Sequence, residues 1–210
     1  MSRPPAGEVV DGVLDLRELP KVERHPAVFT AYDELAVGES LVLVNEHDPV
    51  NLRDQLERDY GTGFGWEYLS EEVPEYRIRL TKNASTPLPR VLADTTEIAS
   101  GAGEGGLGGA VFSLRMRERD LDSNVIALEP GGAIAEHWGP DVDVLVHVLA
   151  GSGHLDTETG VVDLAPGVLL WLPRRSRRAF RAGPQGLRYL TVHRRREALV
   201  LQASRPPGAP

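Results

Sequence analysis

The segment from Asn83 to Gly109 constrains the fold most, because it separates two incompatible apolar periodicities in a chain of 210 residues. Pro87 and Pro89 stand near its start and GAGEGGLGG closes it, a composition that sustains neither a helix nor a ladder of strands. Before it, strand and helix periods alternate. After it, short apolar runs are punctuated by Gly and Pro. Two domains are expected, over 12–82 and 110–198, joined by a linker over 83–109 and followed by a disordered tail over 199–210.

In the first domain VLDLREL (Val13 to Leu19) and ESLVLVN (Glu39 to Asn45) read as strands. Between them HPAVFTAYDEL puts Val28, Phe29, Tyr32 and Leu35 on one helical stripe. In HDPVNLRDQLERDY, Asp48 suits an N-cap and Pro49 the first helical turn, with Leu52, Leu56 and Tyr60 on the buried face. GWEYLSEE and EYRIRLTK form a hairpin that turns Tyr76, Ile78 and Leu80 inward. The order βαβαββ predicts an α+β two-layer sandwich.

From Ala110 on no segment has a helical period. VFSLRMRE, SNVIALE, VLVHVLAG, GHLDTET, GVVDLA, VLLWLP, AFRAG and LRYLTVH are short strands between turn signals, which predicts an all-β antiparallel barrel of about one hundred residues.

The chain has no cysteine, which removes disulfides, thiolate ligands, Cys nucleophiles and persulfide relays. Of the net charge of −8, all lies in residues 1–82, with nine Lys/Arg against seventeen Asp/Glu; residues 83–210 hold fourteen of each. Such an N-terminal part is repelled by nucleic acid and anionic lipid, so neither is an expected partner. The basic runs PRRSRRAFR and HRRR are local and read as a solvated face. MSRPPAGEVVDG has no signal-peptide core and no segment approaches a membrane span, which makes the cytoplasm the expected location.

Two stretches, PGGAIAEHWGPDVDVLVHVLAGSGHL and VVDLAPGVLLWLPRRSRRAFRAG, resemble the paired motifs of the cupins, over roughly residues 110 to 198. The resemblance implies a double-stranded β-helix, or jelly-roll, and a divalent iron, manganese, nickel or zinc ion held by imidazole and carboxylate. Gly131 and His137 match the family's motif. Its second histidine is Gly139 here, its Glu falls on Asp143 or Val144, and its last histidine on Arg178 or Arg177. The motif is therefore degenerate. Strand alternation puts Asp143, Leu145 and His147 on one face and Val144, Val146 and Val148 on the other, where the valines read as core packing. If the first face lines the barrel mouth, His137, Asp143 and His147, with His193, make a nonstandard metal set; if not, His147 points outward, where a subunit interface would suit it.

Arg at a metal-ligand position replaces a bound cation by a fixed charge, and a guanidinium fork fits carboxylate or phosphate. Arg178 beside His137 then points to an organic anion. The alternative makes Arg174, Arg175, Arg177 and Arg178 loop charges; Glu136 reads as a surface charge. The expected function is non-enzymatic binding of a small organic anion or a weakly held divalent metal through His137, Asp143, His147, Arg178 and His193. The alternatives are a metal-dependent oxygenase or isomerase, and a scaffold that forms a homodimer through the cupin domain.

LDLRELPKVERHPAVF, LVNEHDPVNLRDQLE and GWEYL resemble domain of unknown function 2249, over residues 13–82, with His47-Asp48-Pro49 and Trp66-Glu67 its most specific part. The resemblance implies bacterial origin and a TusA-like fold. Sulfur carriers of that fold use a cysteine after the first strand, where this chain reads LPKVERHP, so sulfur transfer is excluded. His25, at the start of the first helix, and His47, before the second, are the candidate residues of this domain.

Overall fold

The computed structural model describes residues 9–100 and 109–195. The chain divides into two compact units, 1–91 and 92–210.

In the first unit, strand β1 (Val13–Asp15) is followed by a 3-10 turn (Leu16–Glu18), helix α1 (Lys21–Glu34), β2 (Ser40–Asn45), α2 (Val50–Tyr60), β3 (Phe64–Glu72) and β4 (Glu75–Lys82). The sheet runs β1-β2-β4-β3, with β1 parallel to β2 and the other pairs antiparallel. Leu41 and Leu43 of β2 and Ile78 and Leu80 of β4 bury one sheet face against Val28, Phe29 and Tyr32 of α1 and Leu52, Leu56 and Tyr60 of α2. Each such side chain contributes about 1.5–3 kcal/mol by leaving water.

Three local expectations are corrected. The first strand stops at Asp15, whose carboxylate accepts from the Arg17 backbone N–H at 3.0 Å and turns the chain. The first helix begins at Lys21, which puts His25 inside it beside Pro26. Pro26 is tolerated because the carbonyl its missing N–H would have met belongs to Val22, which is 83% exposed and can bond to water. Nor does Asp48 cap α2: Pro49 holds the cap position, its carbonyl accepting from Leu52 and Arg53 N–H, and Asp48 accepts from the Tyr68 hydroxyl at 2.8 Å.

The second unit starts earlier than the sequence suggests. Helix α3 (Thr95–Ser100) forms within the expected linker, started by Asp94, whose carboxylate accepts from Thr96 N–H at 2.7 Å. Arg188 ties it to the unit by donating to the Ala99 carbonyl at 3.2 Å. Strands β5 (Gly109–Ser113), β6 (Leu121–Leu128), β7 (Ala133–Trp138), β8 (Val144–Thr157), β9 (Gly160–Leu164), β10 (Leu169–Leu172) and β11 (Arg177–Arg194) follow. The expected tail lies outside the described residues.

Two long strands replace four expected short ones. VLVHVLAG and GHLDTET are continuous in β8, and AFRAG and LRYLTVH in β11. Both bend where Gly151 (φ 77°) meets Gly186 (φ 74°); a Cβ on Gly151 would overlap the Gly186 carbonyl, so the close approach requires glycine. Beyond the bend β11 exchanges β7 for β6 as its second neighbour. The sheet thereby curls, and Val144, Val146, Val148, Leu155, Phe180 and Tyr189 share one interior. No helix among the described residues is long and apolar enough to cross a membrane.

Candidate functional site

The interior of the second unit opens into a cavity of about 340 Å³. Its polar lining comes from β7 and β11: His137, Arg178, Tyr189, Thr191 and His193. Alternation along β11 puts Tyr189, Thr191 and His193 on the inward face, and pairing with β7 sets Arg178 directly across from His137. None of the cavity's lining residues is acidic.

Arg178 is 4% exposed, and its Nε and Nη2 have no partner among the described residues. Burial lowers its affinity for its proton, as expected for a cation taken out of water with no counter-charge. Leaving a buried charge unpaired costs on the order of 3–5 kcal/mol relative to a paired one. Burial also holds the Tyr189 phenol well above its ordinary value, against the opposing pull of Arg178, so Tyr189 remains a neutral O–H donor. Its ring stacks on Phe180, with centroids 5.0 Å apart and planes 9° from parallel.

Gly139 explains how the guanidinium fits. A Cβ there would fall on Arg178 Nη2 and Cζ, so the arginine head occupies the space any side chain at 139 would need. Gly139 is held in turn by its N–H donating to the Ser176 carbonyl at 3.0 Å.

The imidazoles are fixed from behind. His137 Nδ1 lies 2.9 Å from the Ala135 carbonyl and His193 Nδ1 lies 2.8 Å from the Arg194 carbonyl. A carbonyl only accepts, so in the neutral rings Nδ1 carries the hydrogen and Nε2 is left as an acceptor.

His137, Arg178 and His193 are thus brought together, whereas Asp143 and His147 are not. The valine face of β8 is the interior face, which sends its alternate residues outward. His147 lines a separate groove with Leu145, Leu169, Leu190 and Val192. Asp143 accepts from the Arg174 backbone N–H at 2.9 Å. The metal set of His137, Asp143 and His147 does not converge, and among the described residues no three His, Cys, Asp or Glu side chains form a group able to hold an ion. Nor does the donor set around the cavity fit a divalent cation: two imidazoles without a carboxylate stand beside an uncompensated guanidinium. The neighbouring arginines behave differently from Arg178, since Arg177 pairs with Glu136 and Arg175 with Asp141. Tyr189 and Thr191 escaped the sequence reading, although the alternation that carries His193 inward carries them too.

In the first unit His25 and His47 do meet, at a cavity of about 120 Å³ lined also by Arg24, Asp48 and Leu52. His25 Nδ1 lies 3.1 Å from Gln55 Oε1, and the His47 carbonyl accepts from Asn45 Nδ2 at 2.7 Å. Arg24 pairs with Glu46 at 3.0 Å, so this site holds no uncompensated cation of the kind Arg178 represents.

No match is found among proteins of curated function. Among solved structures, the chain is similar to the cupin domain of Schizosaccharomyces pombe Cnp3, at 14% identity over 40% of this chain and 63% of that one, with a TM-score of 0.37. A cupin superfamily protein from Desulfitobacterium hafniense is similar at 20% identity over 41% and 73%, with a TM-score of 0.34. A cupin-2 domain containing protein from Shewanella frigidimarina is similar at 12% over 50% and 95%, with a TM-score of 0.39. Residues 13–82, a third of the chain, match the family described as "Uncharacterized conserved protein (DUF2249)", and this segment is a DUF2249 domain.

Proposed function

We propose that the second unit is a cupin that binds a small organic anion, with Arg178 as the charge that attracts it, and that the first is a TusA-like module without sulfur-carrier chemistry. The observation that carries the reading is the buried, unpartnered guanidinium at a cavity with no acidic wall. Perturbed, desolvated charges concentrate at functional sites, and an incoming carboxylate would supply the counter-charge and hydrogen bonds Arg178 lacks. For the first unit the support is the absence of any thiol in the chain. Isothermal titration of the full chain with benzoate and phenylacetate, beside Arg178→Met, tests the anion reading. Binding by the parent chain that the variant loses supports it; equal binding by both sinks it.

A pairing of two copies through the outer face of the second unit is a separate reading. It is favoured by Leu169 and Trp171, 66% and 62% exposed, which stand across from His147 and Leu145 on adjacent strands. Sedimentation of the parent chain and Trp171→Glu tests it: a dimer that the variant dissolves is expected, and a monomeric parent overturns it.

A further inference from the structure

We infer that the anion held beside Arg178 is a hydroxycarboxylate with an apolar body, whose hydroxyl donates to the Nε2 of His137 or His193. This deepens the anion reading and rests on it.

The hydrogen-bonding inventory of the cavity argues for it. Arg178 and the Tyr189 O–H are donors and suit a carboxylate. The imidazoles are the opposite. Their Nδ1–H groups are spent on the Ala135 and Arg194 carbonyls, so each neutral ring offers an acceptor that a bare carboxylate cannot fill. A ligand oxygen that carries a hydrogen is the complement. Thr191 does not supply it, because its hydroxyl is directed to the Asn124 carbonyl at 3.3 Å. His137 stands across from Arg178 in the β7–β11 register and both line the cavity, so acceptor and cation share one stretch of its wall, as a hydroxyl close to its carboxylate requires.

The rest of the lining is apolar. Ile126, Ile134, Val144, Val146 and Leu172 complete the wall, with the Phe180–Tyr189 stack as its flat part. A phosphate dianion fits poorly: its one P–OH could meet an imidazole, but its second negative charge would face an oily wall with a single cation to hold it. A hydrocarbon side chain, aromatic or branched, fits the wall by burial.

Mandelate and phenylacetate differ by one hydroxyl and test this directly by isothermal titration of the full chain, with inorganic phosphate as the third probe. Mandelate is expected to bind about tenfold more tightly than phenylacetate, the worth of one added hydrogen bond. Phosphate is expected not to bind. In the His137→Leu, His193→Leu double variant, and in whichever single variant removes the acceptor that is used, the gap between the two acids is expected to close; a gap that persists in the double variant overturns the hydroxyl assignment. In Arg178→Met both acids are lost. Equal affinities for the two acids in the parent chain overturn the hydroxyl assignment and leave the anion reading standing. Undiminished binding in Arg178→Met overturns both, as does failure of the parent to bind either acid at millimolar concentration; tight phosphate binding overturns the hydroxycarboxylate class.

Discussion

The guanidinium of Arg178 fills the volume that a side chain on residue 139 would occupy, so Gly139 and Arg178 form one structural unit spanning two segments of chain. The glycine is a condition of the arginine's burial. Gly139→Ala is therefore expected to expel the guanidinium from its place and weaken organic-anion binding at least about tenfold. The backbone of residue 139 still donates to Ser176 in the variant, so the second unit is expected to remain folded. Titration of the variant with the carboxylates that bind the parent chain checks this. An unchanged affinity would mean that Arg178 is not the group that holds the anion.

Arg178 also makes a prediction about stability with a counter-intuitive sign. Removing a buried charge that has no partner should strengthen the ligand-free protein. Arg178→Met, which keeps most of the volume, is expected to stabilise the second unit by roughly 1–4 kcal/mol, the scale on which apolar replacements of buried ionic groups act. The same variant is expected to lose the stabilisation that ligand confers on the parent. Chemical denaturation with and without ligand measures both effects, and a destabilised ligand-free variant would show that the guanidinium has a compensating partner.

Which residues line the candidate cavity was partly readable in advance, and the part that was not follows from physical causes. His137 and Arg178 were legible because the Gly131 and Pro173 turns set the register of the motif. The two faces of β8 were separated and the valine face read as core packing, yet whether the other face meets the barrel mouth or the outside was open, since alternation says which residues share a face and not what that face meets. Valines on three successive inward positions meet Leu155, Phe180 and Tyr189, and that packing settles the direction. Helix α3 was missed because six residues are too few for an apolar period, although Asp94-Thr95-Thr96-Glu97 carried the capping signal. The expected Asp48 cap failed for a tertiary reason: the Tyr68 hydroxyl claims that carboxylate from across the fold.

The first unit carries an alkaline signature. Burial pushes the Tyr32 phenol up to about 12, with the nearby Asp33 charge adding to it, while the ring lies in the core and donates to the Gly63 carbonyl at 2.9 Å. The unfolded chain releases this proton near its ordinary value of 10.0, before the folded chain does. Between those values the unfolded state binds fewer protons, so stability falls as pH rises. The contribution is intact below the lower value and lost progressively toward the upper one. Tyr32→Phe is expected to be less stable at neutral pH by about 1 kcal/mol, for one hydrogen bond, and to show a shallower alkaline decline. Parallel urea titrations across this range test it; equal slopes would place the titrating group elsewhere.

Exchanging the fixed charge for imidazoles should turn the cavity into a metal site. Gly139→His combined with Arg178→His removes the guanidinium and puts two imidazoles beside His137, one on its own strand's continuation and one directly across the β7–β11 ladder. Three neutral nitrogens at a cavity are enough for zinc or nickel with a position left for water. The double variant is expected to bind one such ion per chain in equilibrium dialysis, and to release it when His137 is also changed to Ala. Gly139→His alone is expected to bind far more weakly, because the arginine contests both its space and its charge. A single variant as avid as the double would show that donor number, and not the fixed positive charge, sets what this cavity accepts.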